Sequence, residues 1–167
     1  MAEVDGMPEV DDDQNGFIDD VHGWDWVEND AQTNDRYGHG THVSGTIDAI
    51  TNNEIGIVGL GGNLQMLPLR VLDENGAGQL SDLIDAIYYA YRSGARIINL
   101  SLVLQFDSPA LFEAIRVAHE NNIVLIAASG NLSTAVSWPA RYDETIAVAA
   151  TDRNDERGSF SNYGPEI

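Results

Sequence analysis

The stretch that decides the fold is RIINLSLVLQFDSPALFEAIRVAHENNIVLIAA, residues 96–128. It opens on an apolar run, RIINLSL (96–102), and closes on a second, NIVLIAA (122–128). Between them Ser108-Pro109 sets a capping hydroxyl directly before a proline, the favoured order for a helix start. The spacing predicts a helix from there to about His119. Two strands that are apolar along their length, joined through a helix, indicate a parallel sheet covered on both faces.

Working outward, the pattern repeats. Upstream, QMLPLRVL (65–72) reads as a buried strand, and residues 39–52 read as a helix with small residues at Gly45 and Ala49. Ser81 reads as the cap of a helix over 82–93, which Gly94 ends. Downstream, ETIAVAA (144–150) is another apolar strand. The prediction is an α/β fold, a doubly wound and mostly parallel sheet with helices on both faces. Ligands of such sheets sit beyond the carboxyl ends of the strands. The loops to inspect therefore follow Leu72, Ser101, Ala128 and Ala150.

Composition narrows the partners. The 167 residues include 27 Asp or Glu against 8 Arg and no Lys, a formal net charge of −19. A nucleic-acid backbone or an anionic membrane surface would repel such a chain, whereas cations would be drawn to it. With no Cys, thiol catalysis, disulfides and Cys-based zinc sites are excluded. No run approaches the roughly 18 apolar residues of a membrane span. The opening MAEVDGMPEV has neither the basic nor the apolar region of a signal peptide.

The acids are concentrated. Residues 1–35 hold twelve Asp or Glu and no Arg, with little apolar periodicity, and read as loop. Within them Asp11-x-Asp13-x-Asn15-Gly16-x-Ile18-Asp19 follows the first half of an EF-hand-type calcium loop, with oxygen ligands at positions 1, 3 and 5 and a turn glycine at 6. Position 12 is His22 instead of Glu, so a shortened cation loop competes with a solvated turn.

Two strings carry chemistry. In Gly38-His39-Gly40-Thr41-His42-Val43-Ser44-Gly45-Thr46, a histidine in the first helical turn lies at the positive end of the dipole, which disfavours imidazolium. General base, structural histidines and a His39/His42 metal pair remain open on this ground. In Ala127-Ala128-Ser129-Gly130-Asn131, an Asn amide at the carboxyl end of a strand can donate to a developing oxyanion, although Asn turns after strands are common.

Taken in order, GHGTHVSGT, NNEIGIVGL, LPLRVLDENGAGQLSDLIDAIYYA, IINLSL, AASGN and FSNYGPE resemble the subtilisin-like serine peptidases over nearly the whole chain. The loop Gly23-Trp24-Asp25-Trp26-Val27-Glu28-Asn29-Asp30 most resembles the heat-stable, calcium-rich, thermitase-like branch. The resemblance implies that His39 is the general base and Asn131 the oxyanion donor, with His42 structural. It implies that Gly76-Ala77-Gly78 pairs with a bound polypeptide substrate. Ser101-Leu102-Val103 and Ala128-Ser129-Gly130 would wall the primary specificity pocket, and the Trp138-Pro139 bond would be cis. Val103 stands where the family usually has Gly and would narrow the pocket or bend its wall.

The resemblance also implies two further calcium sites. One comprises Asp25, Asp30, the Gln32 carbonyl and Asn34. The other comprises Asn53 with the carbonyls of Ile50, Ile55 and Ile57, and takes an Asp from an upstream region. On this reading residues 1–38 are an acidic, calcium-binding-type loop region and 39–167 a partial peptidase domain, a single domain overall. The family's Gly-Thr-Ser-Met-Ala nucleophile string and its Asp-Ser/Thr-Gly string after an apolar strand do not occur here. Ser129 matches a pocket wall, not a nucleophile. The expectation is an internal segment of an extracellular endopeptidase, inactive on its own. An inactive calcium-binding remnant is the alternative. A flavodoxin-like binding domain is disfavoured because no loop resembles a phosphate cradle.

Overall fold

The computed structural model describes residues 7–62 and 64–167. Its elements are β1 (Trp24–Asp25), α1 (His39–Asp48), β2 (Leu69–Arg70), α2 (Leu80–Arg92), β3 (Ile97–Leu100), α3 (Pro109–Glu120), β4 (Val124–Ala128) and β5 (Thr145–Val148). The chain divides into two compact units, the first ending at Ala86 and the second running from Ile87 to Ile167.

In the first unit β1 and β2 run parallel, Trp24 opposite Leu69 and Asp25 opposite Arg70. The expected strand over 65–72 is cut to two residues. Pro68 offers no N–H to a ladder, and β1 supplies only two residues to pair with. The acidic stretch is correspondingly more than loop. The Phe17 ring stands edge-on to Trp24 at 4.9 Å and to Trp26 at 5.8 Å between centroids, a favoured aromatic arrangement. Trp24, Asp20 and Asp25 are buried.

The helix expected over 39–52 stops at Asp48. Ala49 still donates to Gly45 O but is extended, with φ −61° and ψ 139°. Asn52 then takes a left-handed φ of 59°, a conformation Asn tolerates. Ser81 is also corrected. The helix begins at Leu80, so Ser81 lies within it and its hydroxyl donates to Asp82 Oδ1 at 3.0 Å.

In the second unit three parallel strands lie in the order β3-β4-β5. The α3 start follows the sequence, with Ser108 Oγ accepting from Leu111 N at 3.3 Å and Pro109 in the first turn. The helix packs on β4 through Leu111, Ala114, Ile115 and Ala118, all sealed from solvent. Ile98, Leu100, Leu125 and Ala127 point into this core, as strand alternation requires. Ile97, Val124, Ile146 and Val148 occupy the opposite face and are exposed.

Candidate active site

His39 is the first residue of α1, preceded by Gly38 at φ 92°. That value lies in the left-handed region, where glycine carries no Cβ penalty. Gly38 offers no side chain to cap the helix, and Asp35 does so from outside. Its Oδ1 accepts from Tyr37 N (3.0 Å) and Gly38 N (2.7 Å), and its Oδ2 from Thr41 N and Thr41 Oγ1 (both 2.8 Å). Desolvation pushes this carboxyl up, but the four hydrogen bonds outweigh it and bring its pKa down to about 2. Both His39 and His42 are on the exposed surface of α1.

The Gly76-Ala77-Gly78 segment belongs to the same unit. Asp73 Oδ1 accepts from Asn75 N (2.8 Å) and Ala77 N (3.0 Å), and the Asp73 N–H donates back to Ala77 O (2.7 Å). Gly76, at φ 75°, leaves room for the Tyr37 ring, which a Cβ there would meet at 2.9 Å. Ala77 and Gly78 remain exposed. The glycine-rich segment therefore lies beside the loop that leads into His39.

The second unit assembles the other residues. Leu100 pairs with Ala127, so Ser101-Leu102-Val103 and Ala128-Ser129-Gly130 leave the carboxyl ends of adjacent strands together. Leu104 N donates to Trp138 O (2.7 Å) and Trp138 N to Leu104 O (3.2 Å). The Trp138-Pro139 bond is cis, in line with the resemblance. Ser137 N donates to Ser129 O at 2.9 Å, closing the third side. Ser129 is buried, with its Oγ directed to Asn162 O at 3.4 Å, a poor position for a nucleophile. Val103 is 40% exposed. Asn131 follows Gly130 and is exposed.

The acidic loops mix cation-ready geometry with competing bonds. Asp11 accepts from Asn15 N (3.1 Å) and Gly16 N (2.9 Å), Asn15 Oδ1 accepts from Phe17 N (2.8 Å), and Gly16 has φ 97°. The turn is thus preformed, and Asp11, Asp13 and Asn15 supply the oxygen donors a hard cation takes. The buried Asp20 reaches Asn15 Nδ2 at 2.9 Å, while Asp19 turns away to Glu9 N at 2.8 Å. Asp25 is fully committed: Oδ1 accepts from Val27 N (2.8 Å) and Glu28 N (3.0 Å), and Oδ2 from Arg70. Asp30 Oδ1 accepts from Gln32 N, Gln32 O from Asn34 N, and Asn53 Oδ1 from Ile55 N. Ile50, Ile55 and Ile57 are exposed. Among the described residues, no three His, Cys, Asp or Glu side chains are grouped to hold a metal ion.

Sequence reasoning missed three residues. Asp35 carried a signal, being an Asp four positions before a helix-opening His. Arg70 is the lone charge in an apolar run, next in space to an acid-rich arm. Asn162 sits in FSNYG, where the sequence gives no sign of its burial.

The parallel α/β architecture is that of a subtilisin-like domain. The Subtilase family matches residues 4–167, and the chain belongs to it. It is 46% identical over 145 residues to the thermophilic serine proteinase of Bacillus sp. (strain AK1), covering 86% of this chain and 36% of that protein. It is 43% identical over 148 residues to thermitase of Thermoactinomyces vulgaris, covering 88% of this chain and 53% of the relative. A thermostable alkaline protease of Halalkalibacterium halodurans is 41% identical over 87% of this chain and 40% of its own length. The chain therefore spans about half or less of these relatives.

Proposed function

We propose that this chain carries the general base and the oxyanion donor of an extracellular serine endopeptidase acting on polypeptides. The observation that carries the reading is the position of His39. It stands first in α1, between two glycines, held by the Asp35 cap and preceded by Tyr37, whose ring packs on Gly76. An imidazole so placed can take a proton from a hydroxyl and return it to a leaving amine. An extended substrate laid along Gly76-Ala77-Gly78 would offer its backbone to that segment. Within the second unit, a substrate side chain would enter between Ser101-Leu102-Val103 and Ala128-Ser129-Gly130, and Asn131 would donate to a tetrahedral oxyanion. The nucleophile and the third triad residue come from outside these residues, because neither string occurs in this sequence.

Calcium belongs to the same proposal, with the Asp11–Asn15 turn as its best-formed site. Its donors are all oxygen and its glycine turn is in place. An ion there would neutralise part of a −19 charge and lock the acidic arm. At the second loop, Asp25 would have to exchange Arg70 for the ion. No helix among the described residues is long and apolar enough to cross a membrane.

The test is covalent labelling. A fluorophosphonate should leave the 167-residue chain unmodified. It should label the same chain once the flanking segments of thermitase are joined to it. Labelling of the 167-residue chain would place a nucleophile within it and overturn the assignment.

A further inference from the structure

We propose that Asn162 is a positioning residue for the oxyanion donor: its buried carboxamide fixes the loop that presents Asn131. The proposal rests on the assignment of Asn131 given above. Asn162 is completely buried, and each end of its amide is used. Oδ1 accepts from Leu132 N (2.8 Å) and Thr134 N (3.1 Å), on the far side of Asn131. Nδ2 donates to Ser129 O (3.0 Å), on the near side, and to Ser137 Oγ (3.2 Å). The backbone adds to the grip, with Asn162 N donating to Gly130 O at 2.8 Å.

One side chain therefore clamps the chain two residues before Asn131, one residue after it and three after it. A buried amide with all these bonds made is rigid, and each broken bond would strand a donor or acceptor. Gly130 is part of the same fitting. It has φ 109°, and a Cβ there would collide with Asn162 Nδ2 and come within 3.0 Å of Ser137 Oγ. No other residue type lets the backbone pass this close to the carboxamide. Asn131 itself is exposed, so its aim has to come from the loop that carries it. An oxyanion donor acts only when held near its final geometry.

Asn162 reaches the reaction only through Asn131, which gives a test that a general structural role would not satisfy. The measurement is kcat and KM of the chain completed with the thermitase flanks. The variants are Asn131→Ala, Asn162→Ala, Asn162→Asp, Ser137→Ala and the double Asn131→Ala/Asn162→Ala. Asn131→Ala should lower kcat roughly 10²–10³-fold. Asn162→Ala should lower kcat at least about tenfold with KM changed less than about threefold, and the double variant should be no slower than Asn131→Ala alone. Asn162→Asp loses the donors to Ser129 O and Ser137 Oγ and sets a buried carboxylate against the Ser129 carbonyl, so it should be no faster than Asn162→Ala. Ser137→Ala removes only one acceptor of Asn162 Nδ2 and should fall between wild type and Asn162→Ala; it carries the test if the Asn162 variants do not fold, and its kcat unchanged would then overturn the proposal. Unchanged kcat in the Asn162 variants, or a double variant slowed by the product of the single effects, would overturn the proposal while leaving Asn131 in place. An unchanged kcat in Asn131→Ala would instead overturn the assignment on which it rests.

Discussion

Arg70 donates from Nη1 to Asp25 Oδ2 between the paired strands β1 and β2, and both side chains are nearly sealed, at 9% and 1% exposure. The bond holds the Asp25 carboxylate together with the N–H groups of Val27 and Glu28, and the hydrogen bond to Asp25, helped by the Asp25 and Glu28 charges, raises the guanidinium pKa against the desolvation of burial. A buried pair stabilises little against apolar groups of the same size, but removing one partner leaves an uncompensated buried charge. Asp25→Ala should therefore destabilise the fold by roughly 3–5 kcal/mol. Adding Arg70→Met should recover a large part. Urea unfolding of the two variants checks this, and a double variant no better than Asp25→Ala would contradict it.

Asp35 gives a pH prediction. Its folded pKa, about 2, lies below the ordinary carboxylate value near 3.8. A lowered pKa means that the cap contributes fully above the ordinary value and is lost as pH falls from about 4 towards 2. The amides of Gly38 and Thr41 should lose exchange protection over that interval, ahead of α3. At neutral pH Asp35→Ala should cost about 0.5–1 kcal/mol, the low end for a cap because the group is exposed. Protection of Thr41 that persists below pH 2 would count against the cap.

The calcium proposal separates from the ion pair by its variants. Millimolar calcium should raise the melting temperature by binding the native state alone. Asp11→Ala with Asp13→Ala should remove most of that rise, whereas Asp25→Ala should destabilise equally with and without calcium. Titration calorimetry that detects no calcium heat would remove the ion from the account.

How far the sequence was legible follows from which signals are local. Ser108-Pro109 and the apolar runs around α3 located β3, α3 and β4 within a residue or two, because caps and periodicity are written in neighbouring residues. The helix end at Asp48 and the two-residue β2 were misjudged. They depend on the turn to extended backbone at Ala49 and on how much partner strand Trp24–Asp25 supplies. Among the proposed site residues, His39 and Asn131 stand in short contiguous strings. Asn162 is not legible in that way, because its meaning arises from bonds to residues 25 to 33 positions away. The Asp25–Arg70 pair, 45 positions apart, was hidden for the same reason.

The open sheet edge and face predict association. β3 ends the three-stranded sheet on one side, and Ile97, Val124, Ile146 and Val148 are exposed on one face. Unpaired edges and apolar faces of this kind template contacts with other chains. Light scattering on the 167-residue chain should show mass rising with concentration, and Val124→Lys should reduce it. A monodisperse monomer with a sharp cooperative melt would contradict this.

The most direct test of the central claim compares His39→Ala with Asn131→Ala in the chain completed by the flanks of thermitase. The scale comes from subtilisin, where losing the His base costs about 10⁶ in turnover and losing the Asn donor about 10²–10³. His39→Ala should abolish measurable peptide hydrolysis. Asn131→Ala should keep a residual kcat with nearly unchanged KM. Full activity in His39→Ala, or equal losses of kcat in the two variants, would contradict it.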